Sequence, residues 1–456
     1  MRLETFADLE EALAQLTDYE KETGYRYTGK TFDLSRMRAL LGRLGEPQTS
    51  FASIHVAGTK GKGSTSATAA ALLRSTGAAP VGLYTSPHLI HLRERIRVNG
   101  RCAADEDWLE AARAVLPAAS ELDPRPTFFE ITTAMAFHAY RSAGCEAAVI
   151  EVGLGGRLDA TNVLEPPRLA ASVVTRIGLD HTALLGKTLD RIALEKAAIA
   201  RPGVPLLVAE QAPEAARAIL EHATSVGASP IERVGVELEV AVERVSLDGT
   251  RFSLVTPRGR YRSLETPLVG RHQAENAALA IAAVEHAWLG PLRASGVSAR
   301  ALEDDVRRGL AHVRWRGRFD LVRPRDGGAP VLIDGAHDPT SMERLVATVR
   351  EVIPGARPVL LLAIAKDKEI DLVLDALRGF PLRGIACRAR TKRAAEPSEL
   401  AAKLEARSVP CEAFEGSSAD ALVRARSLAG PDGLVLVSGS LYLAGEVLAA
   451  LGEPAE

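Results

Sequence analysis

The stretch Phe51-Ala52-Ser53-Ile54-His55-Val56-Ala57-Gly58-Thr59-Lys60-Gly61-Lys62-Gly63-Ser64-Thr65 decides how the rest of the chain is read. Phe51–Val56 is a short apolar run of strand character, and Ala67–Arg74 downstream has helical composition. Between them lie three glycines and two lysines. Strand, glycine loop and helix in that order make a phosphate cradle. Glycines let backbone N–H groups approach phosphate oxygens, and the helix N-terminus adds its dipole. Lys62 brings a mobile positive charge, and Ser64 or Thr65 a hydroxyl. The spacing departs from GxxxxGK[ST], because Gly63 separates Lys62 from Ser64. A plain flexible turn would account for the glycines, but not for the flanking strand and helix or the two lysines.

Outward from this stretch the pattern repeats. Ala147–Ile150, Ala171–Thr175 and Pro205–Val208 are apolar runs separated by Ala-rich helical stretches, which predicts a parallel sheet covered by helices. Residues 1–45 read as helix, a Tyr/Gly/Lys loop, then helix. Residues 230–268 differ: Leu238–Val242 and Arg251–Val255 alternate, with turns at Asp248-Gly249 and Pro257-Arg258-Gly259, which predicts a small antiparallel insertion. A helix over Gln273–His286 follows. After Trp315-Arg316-Gly317-Arg318 the alternation restarts at Val331–Ile333, Pro358–Ile364, Gly384–Cys387 and Leu434–Val437. The expected fold is α/β in two domains, residues 1–313 with the phosphate loop and 314–456 Rossmann-like.

Composition bounds the function. The 46% hydrophobic and 25% charged content excludes a disordered chain. With 56 basic against 58 acidic residues there is no global field to grip nucleic acid or a membrane, so any phosphate binding is local. No apolar run approaches the ~18 residues of a membrane span, and the start carries no apolar leader. Four scattered cysteines, Cys102, Cys145, Cys387 and Cys411, show no metal spacing and point to a reducing cytoplasm.

Polar residues at strand ends carry the next layer. Glu151 closes the run Ala147–Ile150, where a carboxylate beside a phosphate loop is placed to hold Mg²⁺. His181 follows the run ending at Thr175 and suits a metal or phosphate role. Lys196 falls in the apolar stripe Leu189, Ile192, Ile199 of a helix expected over Thr188–Ala200. Two readings are open: a snorkelling lysine paired with Glu195 or another acid, or a desolvated amine that reacts with CO₂ to give a metal-binding carbamate.

The ordered set of motifs resembles the folylpolyglutamate synthase and dihydrofolate synthase branch of the Mur ligase superfamily. It runs from His55–Ser64 through Tyr84-Thr85-Ser86-Pro87-His88-Leu89, Glu94-Arg95-Ile96 and Glu151–Asn162 to Gly178-Leu179-Asp180-His181 and Glu195-Lys196. It continues through Gly270-Arg271-His272-Gln273, Asn276-Ala277, Gly317-Arg318-Phe319, Asp334-Gly335-Ala336-His337 and Ser438–Tyr442. The resemblance implies an ATP-driven ligase of an acid and an amino acid. It implies that Gly58, Thr59, Lys60, Gly61, Lys62, Gly63 and Ser64 hold the triphosphate, with Asn276, Arg318 and Asp334 on ATP. Ser86, Glu151 and His181 would be Mg²⁺ ligands or their partners. Lys62, His181 and Lys196 would be catalytic, Lys196 as the superfamily's carbamylated lysine. A pterin substrate would lie against Phe32-Asp33-Leu34, Thr127-Phe128-Phe129-Glu130 and Leu158-Asp159-Ala160.

The implied substrates are dihydropteroate, reduced folates and L-glutamate, joined through an acyl phosphate by a monomer that serves both steps; an enzyme limited to chain extension is the alternative. Lys60 stands where many members have Asn, Asp338 replaces the usual Asn, and Arg316 stands where Pro is common. A cell-wall-type ligase would share the phosphate loop and lysine, but Thr85–Leu89 and Gly155–Asp159 favour the folate branch. A nucleotide-driven switch protein is the reading from another class, and it predicts no covalent product.

Overall fold

The computed structural model describes residues 3–19, 33–78, 80–289, 299–380 and 382–454. The predicted Tyr/Gly/Lys loop falls largely outside these residues; the helices on either side are Phe6–Ala14 and Leu34–Arg43.

The first domain is built on β1 (Ala52–Ala57), β2 (Val81–Tyr84), β3 (Ile96–Val98), β4 (Arg101–Cys102), β5 (Ala147–Glu151), β6 (Leu169–Val174), β7 (Leu206–Val208) and β8 (Ile231–Arg233). Their order is β4-β3-β2-β5-β1-β6-β7-β8. All pairings are parallel except β2 with β3 and β3 with β4. Every residue of β1 is buried, as a central parallel strand covered on both faces requires. Its neighbours are β5 and β6, with Val56 opposite Glu151 and Ala57 opposite Val174. The phosphate loop, Glu151 and the loop after β6 therefore leave the sheet side by side at its carboxyl edge.

Alternation along each strand feeds two cores. Val149 packs with the helices Lys62–Ser75 and Arg271–Leu289 on one face. Ala148 and Ile150 pack with Trp108, Phe137 and Tyr140 on the other. The helix Arg271–Leu289 is buried nearly all round, lying between the sheet and the insertion, which suits its alanines. The insertion is a meander of β9 (Glu239–Ser246), β10 (Gly249–Thr256) and β11 (Gly259–Thr266), turning where the sequence predicts. Arg258 ties it down, 2.6 Å from Glu232 and 2.9 Å from Glu285 of the helix beneath.

The second sheet comprises β12 (Asp320–Val322), β13 (Val331–Ile333), β14 (Val359–Leu362), β15 (Arg383–Ala386), β16 (Cys411–Ala413) and β17 (Val435–Ser438), in the order β12-β13-β17-β14-β15-β16. Only β12 is antiparallel to its neighbour. The chain is thus α/β with mainly parallel sheets in two domains. The strands β2, β3, β4, β12 and β16 were not anticipated, and β8, expected within the antiparallel insertion of residues 230–268, instead extends the main sheet parallel to β7, so the insertion begins only at Glu239. Among the described residues no helix is long and apolar enough to cross a membrane.

Candidate active site

A cavity of about 600 Å³ lies between the domains, lined from both sides. That is the size of a pocket for a nucleotide-sized ligand. Thr59–Ser64 form part of its wall. The helix expected from Ala67 already starts at Lys62, so Lys62 and Ser64 sit in the first turn, over the unpaired N–H groups. Gly61 is the N-cap, with a φ of 95° that favours glycine, and a side chain there would strike Asn276. Gly63 has a different cause: a Cβ would lie 2.9 Å from the Trp315 ring. The unusual glycine between Lys62 and Ser64 thus makes room for an indole from the junction between domains. Gly58 lies behind the wall, against Thr175.

Glu151 is 4% exposed on the cavity wall, with Lys62 Nζ 3.9 Å from its Oε1. Burial pushes its carboxyl up to about 7, while Lys62 and the Ser86 N–H pull it back. Ser86 and His181 line the same cavity, His181 exposed to it. Among the described residues no three His, Cys, Asp or Glu side chains form a metal cage. The donor set of one Glu, one His and one Ser hydroxyl fits Mg²⁺, which keeps several waters and takes the rest of its shell from phosphates.

Lys196 is 5% exposed at the end of the helix Leu189–Ala197, behind the cavity wall rather than on it. Burial, then repulsion from Lys62, brings its ammonium down to about 7. The snorkelling reading fails. Glu195 pairs with Arg157 at 2.9 Å, and Lys196 has no ion pair among the described residues.

The structure sorts the expected substrate residues. Asp33, Leu34, Thr127, Phe129, Glu130, Leu158, Asp159 and Ala160 line the cavity. Phe32 lies outside the described residues. Phe128 does not reach the cavity; it is buried in the core with the Arg95 guanidinium 5.0 Å from its ring centroid. The reason is helical: Thr127 caps a helix starting at Phe128, and the turn of that helix points Phe128 into the core while Phe129 and Glu130 face the cavity. Asp33 caps the helix Leu34–Arg43. Glu130 closes a capping box with Thr127 and pairs with Arg36 at 2.8 Å, so its carboxylate fixes the wall. Asp159 is buried, accepting from Leu154 N at 2.9 Å and Thr161 Oγ1 at 2.5 Å. His55, unassigned from sequence, supports it from below, its Nε2 2.8 Å from Thr161 Oγ1.

Asn276 faces the cavity from the first domain, Arg318 and Asp334 from the second. Asp334 accepts from Phe319 N at 2.9 Å and Ala336 N at 2.8 Å, which fixes the loop carrying Arg318. Lys60 lines the cavity, but its ammonium is engaged by carboxylates: 2.6 Å from Asp338 and 3.1 Å from Asp180. The extra negative charge of Asp338 is therefore compensated in place. Lys368, 2.6 Å from Asp180, was missed; it lies in the loop after β14, which ends at Leu362, beyond the reach of the strand-end signal that found Glu151.

Residues 56–284 match the Mur ligase middle domain and residues 317–441 the Mur ligase glutamate ligase domain. The chain is 34% identical over 419 residues to a dihydrofolate synthase/folylpolyglutamate synthase of Bacillus subtilis, covering 91% of this chain and 94% of that protein. The fold is similar to Mycobacterium tuberculosis folylpolyglutamate synthase complexed with ADP, with a TM-score of 0.87, 30% identity and 99% of each chain covered. It is also similar to E. coli FolC in complex with DHPP and ADP, with a TM-score of 0.83, 30% identity and 98% of each chain covered. With both Mur ligase domains in order and full-length similarity in sequence and fold, the chain belongs to the dihydrofolate synthase/folylpolyglutamate synthase family of Mur ligases.

Proposed function

We propose that this protein is an ATP-dependent ligase that joins L-glutamate to dihydropteroate and to reduced folate glutamates. One observation carries the reading: the Lys62 loop, buried Glu151 and a buried Lys196 with no ion pair among the described residues gather at one side of the cleft, under a second domain presenting Arg318 and Asp334. A carboxylate and an amine do not condense unaided. Here the substrate carboxylate attacks the γ-phosphorus of ATP and ADP departs. The glutamate amine then attacks the acyl carbon, loses a proton and expels phosphate.

In this reading the backbone N–H groups of Thr59–Ser64 and the Lys62 ammonium bind the triphosphate and neutralise its developing charge, while Gly58, behind the wall, lets the loop pass close to Thr175. Asn276, Arg318 and Asp334 hold the nucleotide from both domains. Glu151, His181 and Ser86, with carbamylated Lys196, would hold Mg²⁺, which when bound neutralises phosphate charge. Leu158–Ala160, Thr127 and Phe129 give the pterin its apolar wall. The acyl phosphate is labile in water, so the cleft must close over it. We assign residues 1–313 and 314–456 to the two domains; the Mur ligase glutamate ligase match beginning at residue 317 supports that division. Balanced charge and four cysteines scattered along the chain support a cytoplasmic enzyme acting on small molecules rather than on nucleic acid or a membrane, and we assign it as a monomer.

The test is ADP release with dihydropteroate and with a reduced folate monoglutamate, each with and without glutamate. Glutamate-dependent release with both, and a glutamyl adduct by mass spectrometry, is the expected result. Release with the folate alone leaves an extension-only enzyme, and no adduct leaves a nucleotide-driven switch. Arg318→Ala should raise the KM for ATP about tenfold and lower turnover as well, as expected for a lost charge-assisted contact. Unchanged ATP kinetics would remove Arg318 from the site.

A further inference from the structure

A line of alternating charges crosses the cleft. Lys60 of the phosphate loop lies 2.6 Å from Asp338 of the second domain and 3.1 Å from Asp180 of its own. Lys368 of the second domain lies 2.6 Å from the other oxygen of Asp180, and His337 Nε2 stands 3.9 Å away. Lys60, Asp180, Asp338 and Lys368 each keep under a fifth of their side chains exposed, so solvent screens these pairs less than surface ones. Asp180 is where charges from both domains meet. Its Oδ1 also accepts from the His181 backbone N–H at 3.0 Å. His181 has a φ of 50°, a left-handed conformation uncommon outside glycine, although histidine is among the residues that adopt it most readily.

We propose that Asp180 is a positioning residue that makes the placement of His181 depend on closure of the two domains. Lys368, and Asp338 through Lys60, pin the Asp180 carboxylate only when the second domain is seated on the first. The pinned carboxylate holds the His181 amide and, with it, the imidazole that faces the cleft. An open enzyme then lacks a properly placed His181, and phosphoryl transfer waits for the cleft that keeps water from the acyl phosphate. The inference rests on the reading of His181 as part of the Mg²⁺ site.

The variants are Asp338→Asn and Lys368→Met, with His181→Ala as reference. Asp338 caps the helix Pro339–Val352, and Asn caps as well as Asp, so Asp338→Asn removes the charge and spares the fold. Calorimetric titration of Mg²⁺ into protein saturated with a non-hydrolysable ATP analogue should show affinity weakened several-fold in both variants, and kcat should fall about tenfold, the scale of one charge-assisted contact. Small-angle scattering of the same samples should show less compaction than in wild type, at unchanged Tm. Combining the two substitutions should match Asp180→Asn. Unchanged Mg²⁺ affinity in both variants overturns the relay, as does a loss that simply follows a lowered Tm. If His181→Ala binds Mg²⁺ normally, the reading beneath the relay is what fails; if it binds weakly while Asp338→Asn and Lys368→Met bind normally, the relay alone fails.

Discussion

Replacing Lys196 with alanine is expected to cut ligation about a thousandfold, the scale of losing a preorganised charge at a phosphoryl-transfer site. The argument begins with burial. An ammonium with 5% exposure and no ion-pair partner among the described residues is unfavourable, and its pKa falls from 10.5 to about 7. Near pH 7 about half the amine is neutral, against roughly one part in three thousand for an ordinary lysine. Only the neutral amine adds CO₂, releasing a proton and leaving a carbamate anion. The cations nearby, Lys62 and Lys60, repel an ammonium at this position but attract that anion.

The pH dependence follows with a definite sign. As pH falls through about 7 the amine protonates, the carbamate is lost, and turnover should fall. Stability runs the same way. The folded pKa lies below the unfolded one, so unfolding binds a proton between pH 10.5 and about 7, and the buried amine costs stability once pH has fallen through that window. Lys196→Ala trades that cost against the small cavity it leaves, so its Tm at neutral pH should stay close to that of wild type while activity is lost. Bicarbonate should not restore the variant. Labelled CO₂ should give a carbamate carbon signal in wild type that is missing in Lys196→Ala. Near-normal turnover in the variant would take Lys196 out of the mechanism.

Much of this was legible because parallel sheets write their sites at strand ends. The glycines before Lys62, Glu151 closing β5 and the loop after β6 are adjacent in space since β5 and β6 flank β1. Local signals of that kind are readable one segment at a time. What escaped needed partners distant in sequence. Nothing near Lys60 announces that Asp338 will take its ammonium, and nothing near Gly63 announces Trp315. Phe128 and Phe129 are chemically alike, and only the phase of a helix starting at Phe128 sends one to the core and the other to the cavity. The strands β12 and β16 are three residues long and partly exposed, too short for a period to show.

Lys62→Met is the second large effect, an expected fall in kcat of about a thousandfold with nucleotide affinity weakened only about tenfold. The split follows from where the charge acts. In the ground state the triphosphate still has the helix N-terminus and the loop amides, which the substitution leaves in place. As the γ-phosphoryl moves, charge builds on oxygens that the backbone alone cannot neutralise, so the ammonium is worth most there. Lys62 also faces Glu151, whose carboxylate has no other ion-pair partner among the described residues. Its removal leaves that buried acid uncompensated, a separate cost of charge burial. The double variant Lys62→Met/Glu151→Gln separates the two: it should recover thermal stability but not turnover. ADP affinity by calorimetry and single-turnover ADP formation measure binding and chemistry independently. Equal losses in both would make Lys62 a simple binding residue, and near-normal single-turnover rates would place the phosphoryl transfer away from this loop.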